Sequence, residues 1–191
     1  MKNWMDIEYL LKGNEIQKKA YKAISKLNIF EILKDYDPIL VGTVPIEIDI
    51  VGSDLDIICK VYDIKSFKSL LSENFGMCEN YFLKEKFENS ERIVVANFYY
   101  MEFEFEIYAK SAPTITFNSY RHMVIEDRIF GLLGDGFQDE VVKLKNSGLK
   151  TEPSFATLLG LEGDSYEELL KLMDYTDQEI IDLFENNQNF I

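Results

Sequence analysis

Two aspartates one residue apart, Asp54 and Asp56, are the residues of this sequence best placed to do chemistry. They open the run Ser53-Asp54-Leu55-Asp56-Ile57-Ile58-Cys59, whose apolar continuation reads as a strand. Side chains alternate along a strand, so both carboxylates point to one face while Leu55 and Ile57 point to the other. Paired hard oxygen donors at the mouth of a strand suit Mg2+, or Mn2+ in its place, with waters and phosphate oxygens as the remaining ligands. Aspartate is a poor strand former, which weighs against two merely solvated residues at a strand start.

Upstream, Ile39-Leu40-Val41 reads as a buried strand that turns at Gly42-Thr43, with ten residues between Thr43 and Asp54. Small residues after a buried strand let the backbone approach a phosphate, whose oxygens the free N–H groups and the Thr43 hydroxyl can bind. The order apolar-Gly-Thr, ten residues, Asp-Leu-Asp resembles the signature of the polymerase-beta-type nucleotidyltransferase superfamily, in which Gly-Ser or Gly-Gly precedes Asp-x-Asp at about this distance. Thr43 replaces the usual serine and keeps a hydroxyl. Within that superfamily the chain resembles a bacterial family of unknown function, in GTVPIEIDIVGSDLDIIC, in Tyr120-Arg121-His122-Met123 and in GLKTEPSFATLLGLEGDSYEELL. The resemblance implies an α+β fold, with a nucleotidyltransferase-like mixed, largely antiparallel sheet flanked by helices and a C-terminal helical region. It also implies a third carboxylate from a later strand.

That carboxylate is expected in the segment Met101 to Ala109, where Phe103, Phe105 and Ile107 share one face and Glu102, Glu104 and Glu106 the other. Like charges on one face repel unless water or a cation separates them. Glu106 is preferred to Glu104 as the third metal-site residue, although the residues themselves do not separate the two.

The elements that must carry these groups are legible in outline. Asp6 to Lys34 reads as helical with a break at Gly13, and Pro38 stops it. Ile46 to Ile50 alternates as a short strand or hairpin arm, and Gly52 turns the chain into the aspartate strand. Asp63 caps a helix running to about Phe75. Asn80 to Glu88, Arg92 to Tyr100 and Met101 to Ala109 are strands, and loops this short require antiparallel pairing. Phe117 to Leu133 reads as a helix bearing Ile125, Ile129, Leu132 and Leu133 on one stripe. His122 and Glu126 share that stripe and are either paired with each other or aimed at a cleft. Arg121 could meet a nucleotide phosphate bidentately or simply lie at the surface. Helices follow over Gln138 to Lys145, Ser154 to Leu161 and Ser165 to Met173, the last with Ser165 and Glu168 at capping-box spacing. Thr176 and Glu179 repeat that device before a final helix. Residues 1–115 are expected to form the nucleotidyltransferase-like core and residues 116–191 a helical region packed on it.

Composition narrows the partners. The 191 residues are 47% hydrophobic, enough for a proper core, and carry 34 acidic against 20 basic side chains, a net charge of −14. Phosphate backbones need clustered Lys and Arg, so a nucleic-acid partner is disfavoured. No apolar run reaches the length of about 18 residues that a membrane span needs, and the N-terminal segment lacks the apolar stretch of a secretory signal. Cys59 and Cys78 have no metal or redox spacing, and Cys59 is expected to pack as a small hydrophobe. A reducing cytoplasm fits. Together these readings point to transfer of a nucleoside monophosphate from a nucleoside triphosphate such as ATP to a hydroxyl of a small molecule or protein. In that reading Asp54, Asp56 and Glu106 or Glu104 hold two metal ions, and Gly42, Thr43, Ser53, Arg121 and His122 bind the nucleotide. The alternatives are a non-catalytic nucleotide-binding module of the same fold and a protein-interaction module.

Overall fold

The computed structural model describes residues 2–88 and 90–188. Asn89, within the turn expected at 88–90, and residues 189–191 lie outside the described residues. The chain divides into two compact units: residues up to Glu47 with Gly52–Phe117, and Ile48–Val51 with the residues from Asn118 onward.

The first unit is α+β. Its elements are α1 (Glu15–Leu27), α2 (Ile29–Ile32), β1 (Ile39–Val41), β2 (Leu55–Lys60), α3 (Ile64–Phe75), β3 (Glu79–Glu88), β4 (Glu91–Tyr100) and β5 (Phe103–Lys110). The strands form one sheet in the order β1-β2-β5-β4-β3. All neighbours are antiparallel except β2 and β5, which run parallel. The meander β3-β4-β5 follows from its short turns. The excursion through α3, β3 and β4 is what returns β5 alongside β2 in the same direction, as a parallel pair requires.

One sheet face is the core. Leu55, Ile57 and Cys59 of β2, Phe105, Ile107 and Ala109 of β5, and Val94, Ala96 and Phe98 of β4 are buried there with Ala20 and Ile24 of α1 and Phe67, Leu71 and Phe75 of α3. Phe75, Phe98 and Phe105 stack with successive ring centroids 5.1 Å apart. Cys59 packs here as a small apolar side chain, and its burial pushes the thiol pKa up. The polar face of β2 and β5 carries Asp56 and Glu106 near the strand starts and Lys60 and Lys110 at their ends. Those lysines are engaged by Asp37 at 3.0 Å and Glu91 at 2.9 Å.

The long first helix breaks into pieces for visible reasons. A 3-10 turn at Glu8–Lys12 precedes α1, and Asn28, in the left-handed region at φ 53°, ends α1. Between them, Gln17 folds back so closely that a Cβ on Gly13 would fall 1.4 Å from its Oε1. Asp63 caps α3 as expected, accepting the Ser66 N–H at 3.1 Å. The strand expected over Ile46 to Ile50 is absent. Val44–Ile46 is a 3-10 turn instead, because Pro45 has no N–H to give a ladder and Glu47 turns left-handed at φ 62°. The Val44 and Pro45 carbonyls accept from Gln17 Nε2 at 2.9 and 3.2 Å.

The second unit contains α4 (Asn118–Leu133), α5 (Asp135–Asn146), α6 (Thr151–Leu159), α7 (Ser165–Lys171) and α8 (Asp177–Gln188). Ile125, Ile129, Val141, Leu159, Leu169 and Ile180 are buried, and Phe155 lies 5.0 Å from Phe130 and 5.5 Å from Phe137, ring to ring. Some helix starts differ from expectation. α5 begins at Asp135, ahead of the expected Gln138. α6 begins at Thr151, ahead of Pro153, because a proline is tolerated in a first turn where its missing N–H has no intrahelical partner. The cap of α7 is Asp164 rather than Ser165, and it accepts the Tyr166 and Glu167 N–H groups at 3.0 and 3.1 Å. The Thr176–Glu179 box forms as expected, with the Thr176 N–H donating to Glu179 at 2.7 Å. Among the described residues no helix is long and apolar enough to cross a membrane.

Candidate active site

Strand register assembles the acidic site of the first unit. The parallel pairing of β2 and β5 sets Asp56 directly opposite Glu106. The antiparallel pairing of β1 and β2 sets Val41 opposite Asp56, so the Gly42 turn leaves the sheet beside the same carboxylate. Gly42 has φ +88°, and a Cβ there would lie 2.8 Å from Asp56 Oδ2. Both facts require glycine: a side chain would be strained by the backbone and would push on the carboxylate. Next along the chain, the Thr43 and Ser53 hydroxyls are 3.3 Å apart and pin the two ends of the intervening loop together.

The three glutamates of the alternating segment separate. Glu102 lies before β5 and pairs with Lys19 at 2.8 Å. Glu104 is exposed and stands opposite Tyr99 of β4. Glu106 is half-buried and stands between Asp56 on one neighbouring strand and Asn97 on the other. Asn97 Nδ2 donates to Glu106 Oε2 at 3.2 Å. This amide was not singled out from the sequence, and its signal was a lone carboxamide within the otherwise apolar and aromatic run 93–100.

Charge is concentrated here. Asp56 is half-buried, and its pKa is pushed up to about 8, first by burial, then by the negative charges of Asp54, Glu106 and Glu104 in that order. Asp54 itself is exposed at the entry to β2. Gln17 is a second residue that the sequence did not announce. It is buried, its Oε1 accepts the Asn14 N–H at 3.2 Å, and its Nε2 holds the two carbonyls that follow the Gly42-Thr43 turn. One side chain thereby ties the start of α1 to the loop beside the aspartates.

Arg121 and His122, expected at the nucleotide, are carried by α4 of the second unit. His122 is buried, and its Nδ1 is 3.2 Å from Glu152 Oε1. Glu126, one helical turn along α4, is also buried. Its pKa is pushed up to about 8, chiefly by burial and then by Glu152, with Lys145 opposing.

No curated protein matches the sequence. Solved structures resemble the fold. The Cid1 poly(U) polymerase with MgGTP bound is 12% identical, with 88% of this chain and 55% of that chain covered and a TM-score of 0.53. The same polymerase with Mg 3'-dATP bound is 14% identical, with 88% and 54% covered and a TM-score of 0.53. A cytoplasmic RNA terminal U-transferase is 14% identical, with 85% and 49% covered and a TM-score of 0.51. The chain thus spans about half the length of the solved structures it matches. Sequence settles the family: residues 22–172 match a domain of unknown function, DUF4269, and the chain belongs to that family.

Proposed function

We propose that this chain is a Mg2+-dependent nucleotidyltransferase whose site is built in the first unit. The observation that carries the reading is the register of β2 against β5, which faces Asp56 with Glu106 while Asp54 immediately precedes β2. The likeness in fold to the Cid1 polymerase, whose structures hold Mg-bound nucleotides, supports it.

The residues fit the metal. Three carboxylates supply hard oxygen donors, and the exposure of Asp54 leaves room for water and phosphate oxygens. Mutual repulsion that raises the proton affinity of Asp56 is the condition that a divalent cation relieves. When bound, Mg2+, or Mn2+ in its place, neutralises triphosphate charge and acidifies the attacking hydroxyl.

The chain's own groups do the rest. Asp54 and Asp56 would hold the metal at the triphosphate end of the site. Gly42 lets the backbone approach, and Thr43 and Ser53 offer hydroxyls to phosphate oxygens. Glu106, oriented by Asn97, receives the proton of the acceptor hydroxyl. The acceptor oxygen bonds to the α-phosphorus, the bond from that phosphorus to the bridging oxygen breaks, and pyrophosphate leaves. Glu104, exposed and further from Asp56 in its electrostatic effect, takes a lesser part.

The acceptor we assign is a hydroxyl of a small molecule or protein. The solved relatives are named for transfer to RNA, but a net charge of −14 opposes a polyanionic partner. The test incubates the full chain, Mg2+ and each of the four α-32P-labelled nucleoside triphosphates with three acceptor pools: small metabolites, proteins and RNA. Label in either of the first two, lost with Asp54→Asn/Asp56→Asn, supports the reading. Label in RNA alone overturns the acceptor assignment, and no label in any pool counts against turnover and leaves a nucleotide-binding module.

A further inference from the structure

The second unit holds a buried constellation to which the proposed transfer mechanism assigns no role. His122 and Glu126 lie four residues apart on α4, which puts them on one helix face one turn apart. Glu152, in the first turn of α6, completes the group. One donor atom from each residue lies within 4.8 Å of the other two. His122 and Glu126 are only 5% and 4% exposed. Nevertheless His122 Nδ1 and Glu126 Oε1 have no hydrogen-bond partner, and Glu152 Oε1 approaches Nδ1 at 3.2 Å without hydrogen-bond alignment. Buried polar atoms are almost always satisfied, and leaving one unsatisfied costs about 1–3 kcal/mol. Two such atoms, in a group whose donors lie this close together, describe a ligand set.

We propose that His122, Glu126 and Glu152 bind one divalent transition-metal cation of the Zn2+ class, at a site separate from the aspartate pair. The donors choose the metal: an imidazole nitrogen among carboxylates suits Zn2+, whereas Mg2+ prefers oxygen alone. Two carboxylates balance the dication, so the metal and its three protein ligands are together neutral. Zinc bonded at about 2.1 Å holds neighbouring donors about 3.5 Å apart in a tetrahedron, which small rotamer changes reach from the present spacing. Three protein ligands leave a fourth position open. The Tyr166 ring, 6.0 Å from the imidazole, stands over one side. The buried Lys145 ammonium is directed to the Ile48 carbonyl at 2.6 Å, and its charge also acts on Glu126. A filled site would tie α4 to the start of α6.

The experiment uses the full chain stripped with EDTA and dialysed free of it. Zn2+ is titrated by calorimetry, and Co2+ is added as a spectroscopic stand-in. The expected result is one equivalent of Zn2+ bound at least 100-fold more tightly than Mg2+, with a Co2+ visible band. That binding persists in Asp54→Asn/Asp56→Asn and weakens at least 100-fold in Glu126→Gln. Glu152→Gln is the second variant, because its side chain is partly exposed and tolerates the change, and thermal unfolding confirms that each variant is folded. Zn2+ binding that is absent from the wild type, unchanged in both glutamine variants, or lost with the aspartates alone would overturn the proposal. Since the readout is metal binding rather than turnover, its failure is distinct from failure of the transferase reading.

Discussion

Replacing Asp56 with asparagine should stabilise the metal-free protein, and by an amount that grows with pH. The wild-type carboxyl, pushed up to about 8, holds its proton in the folded chain over a range where an unfolded aspartate has lost it. The folded state therefore binds more protons than the unfolded state between about pH 4 and pH 8, and stability falls as pH rises through that window. The contribution is intact below about pH 4 and fully lost above about pH 8. The slope is about 1.4 kcal/mol per pH unit, so at pH 7 the cost approaches about 4 kcal/mol. Partial exposure of Asp56 lets water screen some of it, and about 2–3 kcal/mol remains. Asparagine keeps the shape and removes the charge. In EDTA at pH 7, Asp56→Asn should melt about 5–10 °C above the wild type, at about 2–4 °C per kcal/mol. At pH 4.5 the difference should shrink to about 2 °C or less, since the wild-type carboxyl is then protonated. Calorimetric melting of both proteins across this range is the assay. Equal melting temperatures at pH 8, or an equal gain at both ends, would refute the claim that burial and the neighbouring carboxylates together hold the proton on Asp56.

Three further outcomes follow from the same geometry. Gly42→Ala places a Cβ 2.8 Å from Asp56 Oδ2 at a left-handed φ, so it should cost about 1–3 kcal/mol in urea unfolding and weaken Mg2+ binding, whereas Gly52→Ala, with the same φ but open space around it, should cost only the backbone strain. Gln17→Leu strands the Val44 and Pro45 carbonyls and should lose about 2–4 kcal/mol in the same measurement; a loss under 0.5 kcal/mol, an estimate for an ordinary surface change, would remove Gln17 from the support of the loop. In pyrophosphate release, Glu106→Gln should fall about 100-fold or more and Glu104→Gln less than about 10-fold, and the reverse order would exchange their roles.

Local signals carried most of the fold. Asp63 announced α3, the Thr176–Glu179 box announced α8, and the short loops between three strand-like segments announced the β3-β4-β5 meander. The aspartate strand was legible for the same reason, since the apolar run around Asp56 forms β2, although the strand begins at Leu55 and leaves Asp54 just before it. What stayed hidden depends on distant partners. Parallel pairing of β2 with β5 is a tertiary choice, and with the Asn97 contact from β4 it distinguishes Glu106 from Glu104. The segment Ile46 to Ile50 has strand-like alternation, but Pro45 and the bonds from Gln17 impose a turn. His122 and Glu126 were visible as polar residues on an apolar stripe. Their third companion, Glu152, comes from a different helix that no local period connects to α4.

The central claim is that Asp54 and Asp56 make a metal-dependent nucleotide site, and calorimetry with non-hydrolysable analogues of the four nucleoside triphosphates tests it without knowledge of the acceptor. The account predicts binding of at least one analogue in Mg2+, loss of about 100-fold or more in EDTA, and the same loss in Asp54→Asn/Asp56→Asn. Binding that is indifferent to both the metal and the two aspartates, or no binding by the folded wild type, would contradict it.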